Sequence, residues 1–286
     1  MNKAVQLHID SIMSPDYMKK FLNSGFRSAD VGVCIPAILA KDNWEDEFKR
    51  VRDVLDGYGV TAAQTHLYYY DLLRSCESVD DETDELIRRS VAATGIVGAK
   101  WGAFHPRSDH THGYDREREF AANAMAINKL LDTAEKYDVG IAVENIPVFP
   151  DCPQYNFFTS VPEEHRDFVD SFKSERVGVC WDTGHANLMT IEQTDSIRLM
   201  GDRIKILHLH DNLKQADNHC PPTTGFIHWN SLIASLRDIG YSGTLSLEVR
   251  TPAPRVTATY LAHCYDCACM LEELYNGTLT EKCAGK

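Results

Sequence analysis

Eight times along this chain a strand-like run gives way to a helix-like one, and no other feature restricts the fold so tightly. "AVQLHID" (4–10) precedes "SPDYMKKFLNSG" (14–25), where Ser14 can cap, Pro15 suits a first turn and Gly25 can stop the helix. "ADVGVCI" (29–35) precedes 43–59, in which Phe48, Val51, Val54 and Leu55 form a stripe at helical spacing. "GVTAAQTHLYY" then leads to a helix near 81–97, "GAKWGAFHP" to one near 115–137, and "VGIAVENIP" to a shorter one near 161–173. The strand "VGVCW" follows, then "IKILHLHDN" before a helix near 229–239 and "GTLSLEVR" before one near 256–275. Eight such rounds in 286 residues predict an α/β fold, a (β/α)8 TIM barrel, with residues 1–286 forming a single domain. A doubly wound sheet would place a glycine-rich phosphate loop after an early strand. The nearest glycine pattern, "GIVGAKWGA" (95–103), runs from a helix end into a strand, which is the wrong context.

In "VGVCWDTGHANL" (177–188), a buried-type strand ends abruptly in Asp182 and His185. A turn or helix cap explains such residues as well as a site does, so the rest of the chain must decide. The polar residues that close successive strands are His66, His105, Glu144, Asp182, His208 and Glu248, at intervals of 39, 39, 38, 26 and 40 residues. Counting back by twos gives small or polar residues on the inward face, Gly140 and Ala142 before Glu144, Thr244 and Ser246 before Glu248. Ile141, Val143, Leu245 and Leu247 take the outward face. The acids thus converge on the barrel axis, where they repel one another and lose hydration without a cation. Two Glu, one Asp and one His from four consecutive strands, Glu144, Asp182, His208 and Glu248, are therefore candidate metal ligands.

A second tier surrounds them. His185 lies three residues past Asp182, Asp217 and His219 follow the seventh strand, and His210 is two residues beyond His208. With His66 and His105 these could bind substrate or a further metal. Arg250 shares the inward parity of Glu248 and could contact an anionic group, and Trp101 shares that of His105 and is expected to line the pocket. Tyr68, Tyr69 and Phe104 could stack on a sugar ring or simply pack.

The net charge of −13, with no basic run beyond "IRRS" at 87–90, works against nucleic-acid partners. No run of eighteen apolar residues suggests a membrane span, and the opening "MNKAVQLHIDSIMSPDY" lacks the continuous apolar stretch of a signal peptide, so a soluble, cytoplasmic protein is expected. Nine cysteines, an odd number, fit reduced thiols. Cys264, Cys267 and Cys269 of "HCYDCAC" fall in a C-terminal helix, where small buried thiols explain them better than a structural zinc site.

Together "VENIP", "GVCWDTGHANL", "ILHLHDN", the spaced "D.H.PP..G.I.W" of 217–229 and "LSLEVR" resemble the xylose-isomerase-like barrel superfamily, over nearly the whole chain. That superfamily includes sugar and sugar-phosphate isomerases and epimerases, hydroxypyruvate- and inosose-processing enzymes, and endonuclease IV of the AP endonuclease family 2. The single-metal epimerase pattern Glu, Asp, His, Glu falls on Glu144, Asp182, His208 and Glu248. The resemblance implies one divalent metal (Mn2+, Co2+, Mg2+ or Zn2+) holding adjacent sugar oxygens. It also implies that Glu144 and Glu248 serve as catalytic acid and base, taking and returning a proton through an enediolate, with His185 on a substrate oxygen. Its alternative, a phosphodiester hydrolase with up to three Zn2+, would use His66, His105, Glu144, Asp182, His185, His208, Asp217, His219 and Glu248. A non-catalytic sugar-binding barrel is the remaining reading. Dimers and tetramers are common among such relatives, so a homo-oligomer fits the resemblance.

Overall fold

A computed structural model of the chain describes residues 1–70, 81–109, 113–148, 156–189, 191–250 and 253–279. In order it runs β1 (Lys3–His8), α1 (Ile9–Ile12), α2 (Pro15–Ser24), β2 (Ser28–Gly32), α3 (Pro36–Leu39), α4 (Trp44–Gly57), β3 (Thr61–His66), α5 (Asp81–Val97) and β4 (Trp101–Phe104). It continues with α6 (Arg116–Lys136), β5 (Gly140–Glu144), α7 (Pro162–Asp170), β6 (Val177–Asp182), α8 (Thr183–Leu188), α9 (Gln193–Met200), β7 (Ile204–His208), α10 (Trp229–Asp238), β8 (Leu245–Leu247) and α11 (Thr257–Asn276). The anticipated strands and helices form within a few residues of their expected bounds. The second strand stops at Gly32 rather than Ile35, because Pro36 opens the short α3. Two helices follow β6, neither of which the apolar periodicity delimits.

The eight strands make one parallel sheet in the order β7-β6-β5-β4-β3-β2-β1-β8. Its edges meet, with Leu209 N donating to Ser246 O at 2.9 Å and Glu248 N to Leu209 O at 3.1 Å. A (β/α)8 barrel results, as the alternation predicts. Val5, Val31, Ile141, Val143, Val179, Leu245 and Leu247 face outward into the main core against the helices. The inward face is stacked in layers. Trp101 lies over Gly140 and Gly178 at the N-terminal end of the strands, Ala103, Ala142, Cys180 and Ile206 lie above it, and Glu144, Asp182 and His208 close the stack.

These layers correct one expectation. Trp101 does face inward, but at the opposite end of the barrel from the acids. A side chain added at Gly140 would collide with its indole, and Lys205 sits 5.9 Å from the ring centroid. Parity fixes the face of a strand and not the height along it, and four residues separate Trp101 from His105 by about 13 Å at 3.3 Å per residue. Phe104 points outward into the core. Cys264 and Cys267 are buried thiols on α11, Cys269 is half-buried, and none of the potential ligand clusters among the described residues includes them. Cys76, Cys152 and Cys283 lie outside the described residues. No helix among the described residues is long and apolar enough to cross a membrane.

Buried His165 ties α7 to the barrel, its Nε2 donating to Val143 O at 3.0 Å. Its Nδ1 has no hydrogen-bond partner among the described residues, and burial pushes the imidazole pKa down to about 4. The unfolded chain binds a proton near pH 6.5 where the folded chain does not, so stability is full above pH 6.5 and falls by about 3 kcal/mol as the pH drops to 4. Urea unfolding midpoints at pH 7.5, 6 and 4.5 should show His165→Gln losing less than the wild type on acidification. Parallel declines would exclude this residue as the cause.

Candidate metal and substrate site

The C-terminal ends of the strands from β3 onward, with the loop after β7, place most of the expected side chains around one cavity of about 290 Å3. It is lined by His66, Tyr69, His105, Glu144, Ile146, His185, Asp217, His219 and Glu248. At its floor, ligand atoms of Glu144, Asp182, His208 and Glu248 all lie within 4.8 Å of one another, and all four residues are buried. His208 Nδ1 is 3.2 Å from Glu144 Oε1, 3.2 Å from Glu248 Oε2 and 3.9 Å from Asp182 Oδ2.

The motif 177–188 serves as cap and site at once. Val177, Val179 and Trp181 face the outer core, while Asp182 turns inward and caps α8, its Oδ1 accepting from His185 N at 2.6 Å. Its Oδ2 accepts from His210 Nε2 at 3.0 Å and stands 3.9 Å from His208 Nδ1. Asn145, on the strand end before it, clamps the Asp182 backbone through both amide atoms at 2.7 and 2.9 Å. Gly184 completes the arrangement, because any Cβ there would overlap the His210 ring. Gly184→Ala should therefore push His210 off Asp182 and lower stability by about 1–3 kcal/mol, as overpacking of an interior does. Thermal unfolding of the metal-free protein would read this, and an unchanged Tm would show that the ring has room to move.

The outer histidines are oriented by backbone carbonyls. His66 Nδ1 is 2.9 Å from Leu67 O, His185 Nδ1 2.9 Å from Asn145 O, and His219 Nδ1 3.1 Å from Glu248 O. A carbonyl only accepts, so in each ring Nδ1 carries the proton, and each ring lines the cavity. His66 Nε2 lies 3.1 Å from His105 Nε2, which is 3.0 Å from Glu144 Oε2. On the other side Asp217 Oδ2 is 2.8 Å from His219 Nε2 and 3.5 Å from His185 Nε2, and His219 stacks on His210 at 4.2 Å. Arg250 is exposed and reaches the Asp217 carbonyl at 3.4 Å, bracing that loop. Tyr69, 44% exposed, stands against His66 and His105 at the mouth.

The charges form a closed system. Among the described residues, the ion-pair partners of Glu144, Asp182 and Glu248 are all histidines. Burial opposes ionisation of Glu144, yet the imidazoles of His208 and His105 hold its pKa well below the usual carboxylate range. Burial likewise opposes protonation of His185, but Asp182, Asp217 and Glu144 lift its pKa well above the ordinary value. His208 is raised in the same way by Cys180, Glu248 and Glu144, and His219 reaches about 9. His66 moves down, from burial and the neighbouring His105. Three carboxylates and an imidazole, close together and neutralised only by titratable rings, form a donor set that fits a hard or borderline divalent cation.

Two inward residues of the first two strands also reach the floor, although neither closes its strand. Gln6 Nε2 donates to Glu248 Oε1 at 3.0 Å, and Asp30 lies 3.5 Å from His208 Nε2. The same count by twos, carried back into "AVQLHID" and "ADVGVCI", places both inward. Cys180, inward and one layer below Asp182, brings its thiol within 4.8 Å of ligand atoms of Glu144 and His208.

Residues 22–267 match the family described as xylose isomerase-like TIM barrel. A D-psicose 3-epimerase of Enterocloster bolteae is 31% identical over 192 residues, 67% of this chain and 60% of that protein. An inosose isomerase of Bacillus licheniformis is 28% identical over 138 residues, 46% of this chain and 48% of that protein. The chain thus matches less than two thirds of the length of these curated relatives. Among solved structures, a D-tagatose 3-epimerase-like protein superimposes with a TM-score of 0.76 at 20% identity, covering 98% of this chain and 100% of that one. A D-psicose 3-epimerase crystallised in the presence of D-fructose gives 0.73 at 16% identity, covering 96% and 99%. At such identities the superpositions speak for the fold.

Proposed function

Because the chain belongs to the xylose isomerase-like TIM barrel family, we propose that it is a divalent-metal-dependent isomerase or epimerase of a sugar, sugar phosphate or keto-polyol. The observation that carries this reading is the buried Glu144, Asp182, His208, Glu248 set at the floor of a cavity of about 290 Å3. That volume is at the small end of the roughly 300–1,000 Å3 of ligand pockets and suits a single sugar ring or open chain. The psicose 3-epimerase and inosose isomerase names of the relatives point to the same substrate class.

These four residues would hold the cation. When bound, it supplies positive charge beside the substrate oxygens and so makes the adjacent C–H acidic. The chain's own groups do the rest. Glu248 has one oxygen fixed by Gln6 and the other turned to the cavity floor, so it can take a proton from substrate carbon. Glu144 sits across the floor and can return one. His185, with Nδ1 tied to a carbonyl, offers Nε2 to a substrate hydroxyl. Tyr69 at the mouth offers a ring face to the sugar. The test is solvent-deuterium incorporation into a panel of ketohexoses with Mn2+, Co2+ or Mg2+, followed by NMR. Wash-in at carbon beside the carbonyl is expected, and none with any ketose or inosose would remove the reading.

One observation favours a second reading, a multi-zinc phosphodiester hydrolase. The ligand atoms of His66, His105 and Glu144 also lie within 4.8 Å of one another, and His185, Asp217 and His219 adjoin the floor on the other side. The net charge of −13 speaks against a polyanionic substrate. Metal analysis of protein purified without chelator separates the two, since one metal per chain is expected of the isomerase and three zinc ions of the hydrolase.

A further inference from the structure

Below the ligand set, one side of the barrel interior is polar and centres on Asp30. This residue comes from the middle of β2 and is fully buried. Its Oδ2 accepts from Gln64 Nε2 at 2.8 Å and from Ser246 Oγ at 3.2 Å, and His208 Nε2 stands 3.5 Å from the same oxygen. Gln64 is held in turn by a bond to Leu207 O at 3.0 Å. Among the described residues no lysine or arginine pairs with Asp30. Its one charged neighbour among the described residues is then the His208 ring, and a neutral residue would fill this space more cheaply if packing were its whole task.

We propose that Asp30 is a positioning residue that fixes His208 with its proton on Nε2 and its Nδ1 turned to the carboxylates, and thereby sets the affinity of the site for its divalent cation. The inference rests on the reading of His208 as a metal ligand. His208 Nδ1 lies among Glu144, Asp182 and Glu248, so a cation held by that set meets Nδ1, and the neutral ring must then carry its proton on Nε2. Asp30 Oδ2 is the acceptor placed to receive that proton. The donors from Gln64 and Ser246 keep the carboxylate oriented, and the parallel His66 ring, 5.6 Å away at 7°, restricts rotation of the imidazole. His66, His185 and His219 meet backbone carbonyls instead, whereas the Nε2 of His208 makes no other hydrogen bond among the described residues and faces a carboxylate at 3.5 Å, an acceptor that would make the ring a more basic ligand once the bond closes.

The test measures Co2+ binding by competition with a chromophoric chelator, together with the d–d absorption band, in wild type, Asp30→Asn and His208→Ala. Asp30→Asn is expected to weaken binding about 10–100-fold and shift the band, and His208→Ala to weaken it at least as much. If Asp30→Asn binds within about twofold of wild type with the same band while His208→Ala is weakened, the positioning role is overturned and the metal site stands. If His208→Ala also binds like wild type, the reading of the site fails and the inference with it. A purely structural Asp30 would lower the Tm of the metal-free variant and leave the affinity unchanged, which also overturns the proposal. Should Asp30→Asn not fold, 15N-histidine spectra of the Zn2+-loaded wild type decide. A His208 Nε2 proton shifted downfield by a hydrogen bond to a carboxylate supports the role, and zinc on Nε2, or an Nε2 proton without that bond, overturns it.

Discussion

Glu248→Gln should abolish deuterium wash-in from solvent, lowering kcat/KM for ketose turnover by about 1,000-fold or more. General-base catalysis contributes roughly 100–10,000-fold, and an amide in place of this carboxylate has no basic oxygen with which to take a proton. The replacement is nearly isosteric. Gln6 donates to Glu248 Oε1, and the amide oxygen of the variant side chain can accept the same bond, so the fold around β8 and β1 should survive. Glu248 is also a candidate ligand, so metal content must be measured on the same sample. Lost exchange with metal retained assigns the proton transfer to Glu248. Exchange at the wild-type rate would take that role from it and leave Glu144, deeper and bracketed by His105, His185 and His208, as the remaining base.

Stripping the metal with a chelator should lower Tm by roughly 10 °C, since a ligand present at about a thousand times its Kd stabilises the fold by about 4 kcal/mol and each kcal/mol moves a large domain by about 2–4 °C. The fall should stop well short of unfolding, because the metal-free cluster has its own neutralisation. The raised pKa values of His185, His208 and His219 put imidazolium charge against Glu144, Asp182, Asp217 and Glu248. Differential scanning calorimetry before and after chelation, with Mn2+ or Zn2+ restored, checks both parts. An identical Tm in all three samples would mean that no cation binds the native state tightly at this floor.

How much of this was legible varies from residue to residue. The alternation of apolar strands with capped helices carried the barrel, because each element buries one face locally and connections between parallel strands are right-handed and short. Strand-end residues from His66 to Glu248 could be listed because parity along a strand is fixed by covalent geometry. Trp101 shows the limit of that rule, since parity told its direction and not its layer. Asp30 and Gln6 show another, because both are inward residues in mid-strand and a list of strand ends passes over them.

By itself the sequence determined which residues become strands, which face of each strand meets the helices, and which acids and histidines enter the barrel, since these follow from periods of two and 3.6 along a single segment. Tertiary structure alone decided which of those side chains meet. The approach of Asp30 to His208, of Gln6 to Glu248, and of Gly184 to the His210 ring depends on parallel register between strands far apart in the chain and on closure of the sheet between β7 and β8. The direction of the pKa shifts was decided there too, because it depends on which charges share a buried space and not on the order in which they are strung.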